Sequence, residues 1–161
     1  VLLRLAIAAS LLALPARADI ISECEADGAW EAKRQACTAA IDSGDWSGRD
    51  LAWAYNNRGV AQNLLGRYAA AEVDYTQAIE LLPEFGEAYN GRANARCRLG
   101  EYEASVADRL QALELGAFTA ESAQVILKDQ GFYGGAIDGQ FGSGSKAGLL
   151  AWTKAGCPGV D

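Results

Sequence analysis

An all-α fold of stacked helical hairpins is predicted by three features of this 161-residue chain. A shift of 34 positions lays Ala54-Tyr55-Asn56-Asn57-Arg58 over Ala88-Tyr89-Asn90-Gly91-Arg92. The same shift lays Leu65-Gly66-Arg67-Tyr68 over Leu99-Gly100-Glu101-Tyr102, and Gln77-Ala78-Ile79-Glu80-Leu81 over Gln111-Ala112-Leu113-Glu114-Leu115. Within each copy small and aromatic residues recur at helical spacing, and one glycine, Gly66 or Gly100, divides the copy into two helices. Pro83 then stops the second helix of the first copy, because proline lacks the amide that a helix interior needs.

Residues 1–18 are not expected to belong to that fold. Leu2-Leu3-Arg4 carries a positive charge, an apolar run extends from Leu5 to Leu14, and Ala16-Arg17-Ala18 is a small-x-small cleavage site. This order is that of a secretory signal peptide. Pro15 and Arg17 cut the run short of the roughly 20 apolar residues that a membrane span needs. Cys24 follows Ile21-Ser22-Glu23 and lacks the small residue that precedes a lipid-anchored cysteine. The expected location is therefore periplasmic or secreted, with cleavage after Ala18 and no membrane attachment afterwards. Cleavage removes two positive charges, Arg4 and Arg17, and no acid, which moves the formal charge from −7 to −9. An acidic chain without a basic stripe repels phosphate backbones, so no nucleic-acid partner is expected.

The chain contains no histidine. This excludes Ser–His and Cys–His nucleophile pairs, an imidazole base and His-ligated metals. Its four cysteines include no CxxC spacing, so zinc is not expected. No cofactor and no enzymatic activity are expected either, and acids such as Glu80 and Glu84 read as a solvated helix face. In an exported chain four cysteines imply two disulfides, with three connectivities open.

Residues 19–50 read as a capping hairpin. Asp27-Gly28 suits a helix start, and Trp30, Arg34, Cys37, Ala40 and Ile41 follow at helical spacing. Cys37-Thr38-Ala39-Ala40-Ile41 resembles Tyr75-Thr76-Gln77-Ala78-Ile79 at a shift of 38, the excess falling in the loop Ser43 to Gly48. A degenerate first repeat would keep its second helix in this way and cover the open end of an array. A Cys24–Cys37 bond is expected to hold it.

Residues 51–118 carry the two full repeats. In the first, helix A is expected over Ala52 to Leu65 and helix B over Tyr68 to Leu82. Small residues at Gly59, Ala71 and Ala78 would let the two helices approach, with Tyr55, Tyr68 and Tyr75 filling the wedge. The second repeat keeps Tyr89, Ala93, Gly100, Tyr102 and Ala112, and departs at Ser105, Arg109 and Ala117. The series Tyr55, Gly59, Tyr68, Ala71, Tyr75, Ala78 and Pro83 on a 34-residue period resembles the tetratricopeptide repeat. That resemblance implies a superhelix whose A helices line a concave groove for an extended peptide or partner helix. The groove positions would be Trp53, Asn56, Val60, Asn63 and Leu64, then Glu87, Asn90, Asn94, Cys97 and Arg98. Amides at Asn56 and Asn90 would bind a peptide backbone and Arg98 a carboxylate.

Residues 119–161 change character. Thr119 can cap a helix running to Gln130, and Ser143 to Ala155 forms another. Between them lies Gly131-Phe132-Tyr133-Gly134-Gly135-Ala136-Ile137-Asp138-Gly139-Gln140-Phe141-Gly142. With Gln124, Leu127, Ser145, Ala147, Leu149 and Trp152, this stretch resembles the small peptidoglycan-binding-like module of bacterial envelope proteins. Gln130 and Thr153 depart from that pattern. The resemblance implies glycan contact near Phe132, Tyr133, Ile137, Asp138 and Phe141, and a miniature core of Ile137, Phe141, Leu127, Leu149 and Trp152. Cys157, the cysteine that remains once Cys24, Cys37 and Cys97 are placed, is expected to staple this module to Cys97. The expected function is a non-catalytic periplasmic adaptor for an envelope protein or peptide, with peptidoglycan contact. The alternatives are a structural protein whose C-terminal module only caps the array, or an accessory subunit of a cell-wall hydrolase.

Overall fold

The computed structural model describes residues 23–24 and 28–158. The expected leader, 1–18, and Asp27 lie outside the described residues. The helices are α1 (Trp30–Asp42), α2 (Gly48–Leu64), α3 (Tyr68–Leu81), α4 (Gly86–Leu99), α5 (Tyr102–Glu114), α6 (Ala120–Asp129) and α7 (Ser143–Lys154). Helices α1 to α5 pack each on the one before, α2 also touches α4, and α7 packs on α5 and α6. Gly66 and Gly100 make the equivalent turns of the two repeats at φ +72° and +82°, a left-handed conformation that glycine adopts without penalty.

One boundary and one buried face differ from expectation. Helix α2 begins at Gly48, four residues before Ala52, after an extended Ser47. The added turn is solvated, with Asp50 at the positive end of the helix dipole, so it carries no apolar signal. On α1 Cys37 and Ala40 of the expected stripe are buried together with Lys33 and Ala36, while Trp30, Arg34 and Ile41 are half-buried. The disulfide Cys24–Cys37, with its Cα atoms 4.8 Å apart, lies on this face, and Cys37 is fully buried.

The repeat core is built from small residues around one large ring. Ala52, Ala71, Ala78, Ala88 and Ala95 are buried with Phe85 and Tyr75. The Tyr75 ring lies between the A helices of both repeats: a methyl group built on Gly59 would sit 2.9 Å from it, and one on Gly91 would overlap it. Gly91→Ala is therefore expected to destabilise the protein by about 1–3 kcal/mol, overpacking outweighing the better helix propensity of alanine. Gly134→Ala, where a methyl meets nothing within 4 Å, is the control. Equal melting temperatures for the two variants would contradict this packing.

An ionic link repeats along the array. Arg58 donates to both carboxylate oxygens of Asp74 at 2.9 and 2.7 Å and to Thr38 at 3.3 Å. Arg92 does the same to Asp108 at 2.8 and 2.8 Å and to Thr76 at 3.2 Å. Each arginine also lies 5.4 Å from a tyrosine ring, Tyr55 or Tyr89. The arginines and aspartates are 34 residues apart, the threonines 38. Thr38 thus occupies on α1 the place of Thr76 on α3.

The C-terminal helices share a core with the second repeat. Leu127, Leu149 and Trp152 are buried with Cys97 and Cys157, flanked by Val106, Leu110, Phe132, Tyr133 and Phe141. Cys97 and Cys157 are bonded, with Cα atoms 6.5 Å apart. Thr119 caps α6 by accepting from the Ser122 amide at 3.1 Å.

Fully buried Gln124 organises the loop that follows. Its Oε1 accepts from the amides of Asp138 and Gly139 at 3.1 and 3.0 Å. Its Nε2 donates to Asp138 Oδ1 at 2.9 Å and to the Gln140 carbonyl at 3.1 Å, with Ser145 Oγ at 3.2 Å. This polar centre corrects the expectation for Ile137, which is 45% exposed rather than part of the miniature core. The carboxamide holds the backbone of 138–140 where an apolar side chain would otherwise pack.

Hydrogen bonds from Gln124 and from the Gln140 amide hold the Asp138 carboxyl below its ordinary range. The folded loop therefore favours the ionised form. Its contribution is present above the unfolded pKa and is lost as pH falls through the lowered folded value. In Gln124→Leu the Asp138 pKa is expected to rise toward that of a free carboxylate, with a stability loss of about 2 kcal/mol. Carbonyl chemical shifts followed through an acid titration read the first effect, and an unmoved Asp138 would refute the hub role.

Candidate functional site

The concave cleft is formed by α2 and α4, the A helices of the two repeats. Residues 56, 60, 63 and 64 of α2 and 87, 90, 94 and 98 of α4 recur at three- to four-residue spacing, which puts each set on one helix face. Asn56, Val60, Asn63, Leu64, Glu87, Asn90, Asn94 and Arg98, with Tyr68, Tyr75 and Gly91 beneath, enclose about 430 Å³.

The amides are not equivalent. Asn63 donates to the Tyr75 hydroxyl at 3.3 Å and to the Gly91 carbonyl at 3.2 Å, which fixes it to the repeat interface. Asn90 and Asn94 turn their carbonyl oxygens to Arg109, at 3.3 and 2.6 Å. Asn56 is buried, and its Oδ1 accepts no hydrogen bond from protein. A buried acceptor without a donor costs about 1–3 kcal/mol, and an incoming peptide N–H would relieve that cost. Burial pushes the Tyr75 phenol pKa upward, so the floor of the cleft is neutral. Its exposed rim carries opposite charges, Glu87 and Arg98.

Trp53 stands apart from this cleft. It lies on the same stripe of α2, one repeat before Glu87, but its ring packs on Phe85 with centroids 4.8 Å apart. It lines a separate cleft with Trp46, Arg49, Asp50 and Asn57. Cys97 is buried in its disulfide. The five residues expected to touch glycan do not share one open surface. Phe132, Tyr133 and Phe141 pack inward against the C-terminal core, while Ile137 and Asp138 face outward. The Tyr133 hydroxyl donates to the Ala136 carbonyl at 2.9 Å.

Sequence reasoning missed Arg109. It was visible only as the loss of the aromatic at the Tyr75 position. Structurally it fills that position with a guanidinium 4.7 Å from the Trp152 ring. Among the described residues no group of three His, Cys, Asp or Glu side chains could hold a metal ion, and all four cysteines are in disulfides.

Residues 52–85, the first full repeat, match the tetratricopeptide repeat family. A search of curated proteins finds no match to the chain. Repeats of this family generally mediate protein–protein interaction.

Proposed function

We propose that this protein is a non-catalytic adaptor of the bacterial envelope, exported to the periplasm or secreted, that holds a peptide segment of a partner protein in the α2–α4 cleft. The unsatisfied side-chain carbonyls of Asn56 and Asn63 beside apolar Val60 and Leu64 carry this reading, because they are acceptors that a peptide N–H could meet within a peptide-sized concavity. Export is supported by the leader-like residues 1–18 and by the two disulfides, which suit an oxidising compartment.

A library of extended peptides screened by fluorescence polarisation tests the cleft. Asn56→Leu is expected to weaken the selected peptides about tenfold while leaving the fold intact. Selected peptides that bind Asn56→Leu as tightly as the parent would sink the proposal.

A second reading, in which the C-terminal helices only cap the array, is favoured by their shared core with the second repeat and by the inward packing of Phe132, Tyr133 and Phe141. Peptidoglycan contact would then rest on Ile137 and Asp138 alone. Sedimentation with purified sacculi separates the two. Pelleting that Asp138→Ala abolishes supports wall contact, whether as an anchor for the adaptor or as an accessory to a hydrolase. Absence of pelleting leaves the unit as a cap.

A further inference from the structure

A second cleft, of about 420 Å³, opens between α4–α5 and the C-terminal helices. Phe118, Ile126, Leu127, Leu149 and Trp152 give it apolar walls, and Asn90, Asn94 and Arg109 form a polar end. Ile126 is 53% exposed at its edge. Ser122, Asp129 and Gln130 line it as well, and a concavity of this size with apolar walls and a small number of placed polar groups is the usual form of a small-molecule site.

Arg109 makes the cleft unusual. It is 7% exposed, and among the described residues no carboxylate pairs with it. Arg58, Arg92 and Arg96, by contrast, each hold an aspartate or glutamate within 2.8 Å. The Arg109 neighbours are neutral: the carbonyls of Asn90 and Asn94, the Cys157 sulfur at 3.9 Å and the Trp152 ring. Its Nε is buried without an acceptor. Burial lowers its pKa to about 10, so it remains charged at neutral pH. A buried cation without a counter-ion is costly, and neutral dipoles with a ring face offset only part of that cost.

We propose that this cleft binds a monocarboxylate carried on an aliphatic body, the carboxylate pairing with Arg109 and the body lying along Phe118, Ile126, Leu149 and Trp152. Exposed Asp129 lines the same cleft and repels a second negative charge, which favours a single carboxylate over a dicarboxylate. A free fatty acid and the C-terminal leucine of a peptide both supply this chemistry. The site is independent of the α2–α4 cleft, although Asn90 and Asn94 line both.

Calorimetry and Trp152 fluorescence on the oxidised protein test the proposal. The probes are octanoate and N-acetyl-alanyl-leucine, with octanamide and the leucine amide as neutral twins. One carboxylate or both should bind at a single site, at least about tenfold tighter than the neutral twin, and the tighter of the two identifies the source. Arg109→Gln should abolish that binding and Arg109→Lys should restore part of it. Ala123→Phe, which fills the cleft and leaves Arg109 in place, should abolish it as well, and keeps the test usable if Arg109→Gln does not fold. Asn56→Leu should leave it unchanged, which separates failure here from failure of the peptide-cleft reading. No binding by either carboxylate, equal binding of the amides, or binding that survives in folded Arg109→Gln would overturn the proposal.

Discussion

Asp108→Ala is expected to cost about 3–5 kcal/mol, a large part of the stability of a domain this size. Asp108 is buried and accepts from three donors: Arg92 Nε and Nη2 and Arg96 Nη1, each at 2.8 Å. Removing the carboxylate leaves two arginines facing each other in a half-buried site, with Glu72 and Glu101 still near Arg96 and, among the described residues, no acid left for Arg92. Truncating one partner of a buried pair costs more than the pair itself contributes, because the remaining charge stays desolvated. Glu103→Ala removes an exposed carboxylate that pairs with Lys154 and accepts from its own backbone amide, the two side chains being 78% and 52% exposed, and should change stability far less than Asp108→Ala. Urea unfolding at constant m-value measures both. A loss below about 1 kcal/mol for Asp108→Ala would mean that the repeated Arg–Asp link does not hold the array together.

Replacing Cys97 and Cys157 by serine is expected to lower stability by about 4 kcal/mol, since a bond across 60 residues removes much of the freedom of the unfolded chain. The same change at Cys24 and Cys37, 13 residues apart, should cost about 3 kcal/mol. The two losses should also differ in place. Cys97 and Cys157 lie within the core shared by α4, α5, α6 and α7, so their removal should free the C-terminal helices first. Amide exchange should accelerate in α6 and α7 while α2 and α3 stay protected. Uniform acceleration across all helices would show that the C-terminal unit and the repeats open together without help from the disulfide.

The repeats were legible because their signal is apolar and periodic. Gly59, Ala71, Tyr75 and Ala78 announce the hairpin through size alone. The ionic links were not legible. Arg58 and Asp74 are 16 residues apart on different helices, and nothing in a hydrophobic pattern distinguishes a charge that crosses to a neighbour from one that faces water. The added turn at Gly48 escaped for a related reason, since it buries nothing. Ile137 was misplaced because an apolar residue in a loop suggests a core, whereas here the buried centre is the carboxamide of Gln124. Trp53 lies on the expected stripe, but Phe85 reaches its ring first. Arg109 read as a lost aromatic, and its meaning depends on Trp152 and Cys157, which are distant in sequence and near in space.

Photo-crosslinking from the α2–α4 cleft tests the central claim most directly. A benzophenone amino acid placed at Glu87, exposed on the rim of the cleft, is compared with one at Val73, which is 62% exposed on α3 and outside the cleft lining. In cells that produce the protein, the cleft is expected to yield discrete adducts from Glu87 that disappear with Asn56→Leu, and none from Val73. Matching adducts from both positions, or adducts from Glu87 that are indifferent to Asn56, would show that the concave face is not where this protein meets its partner.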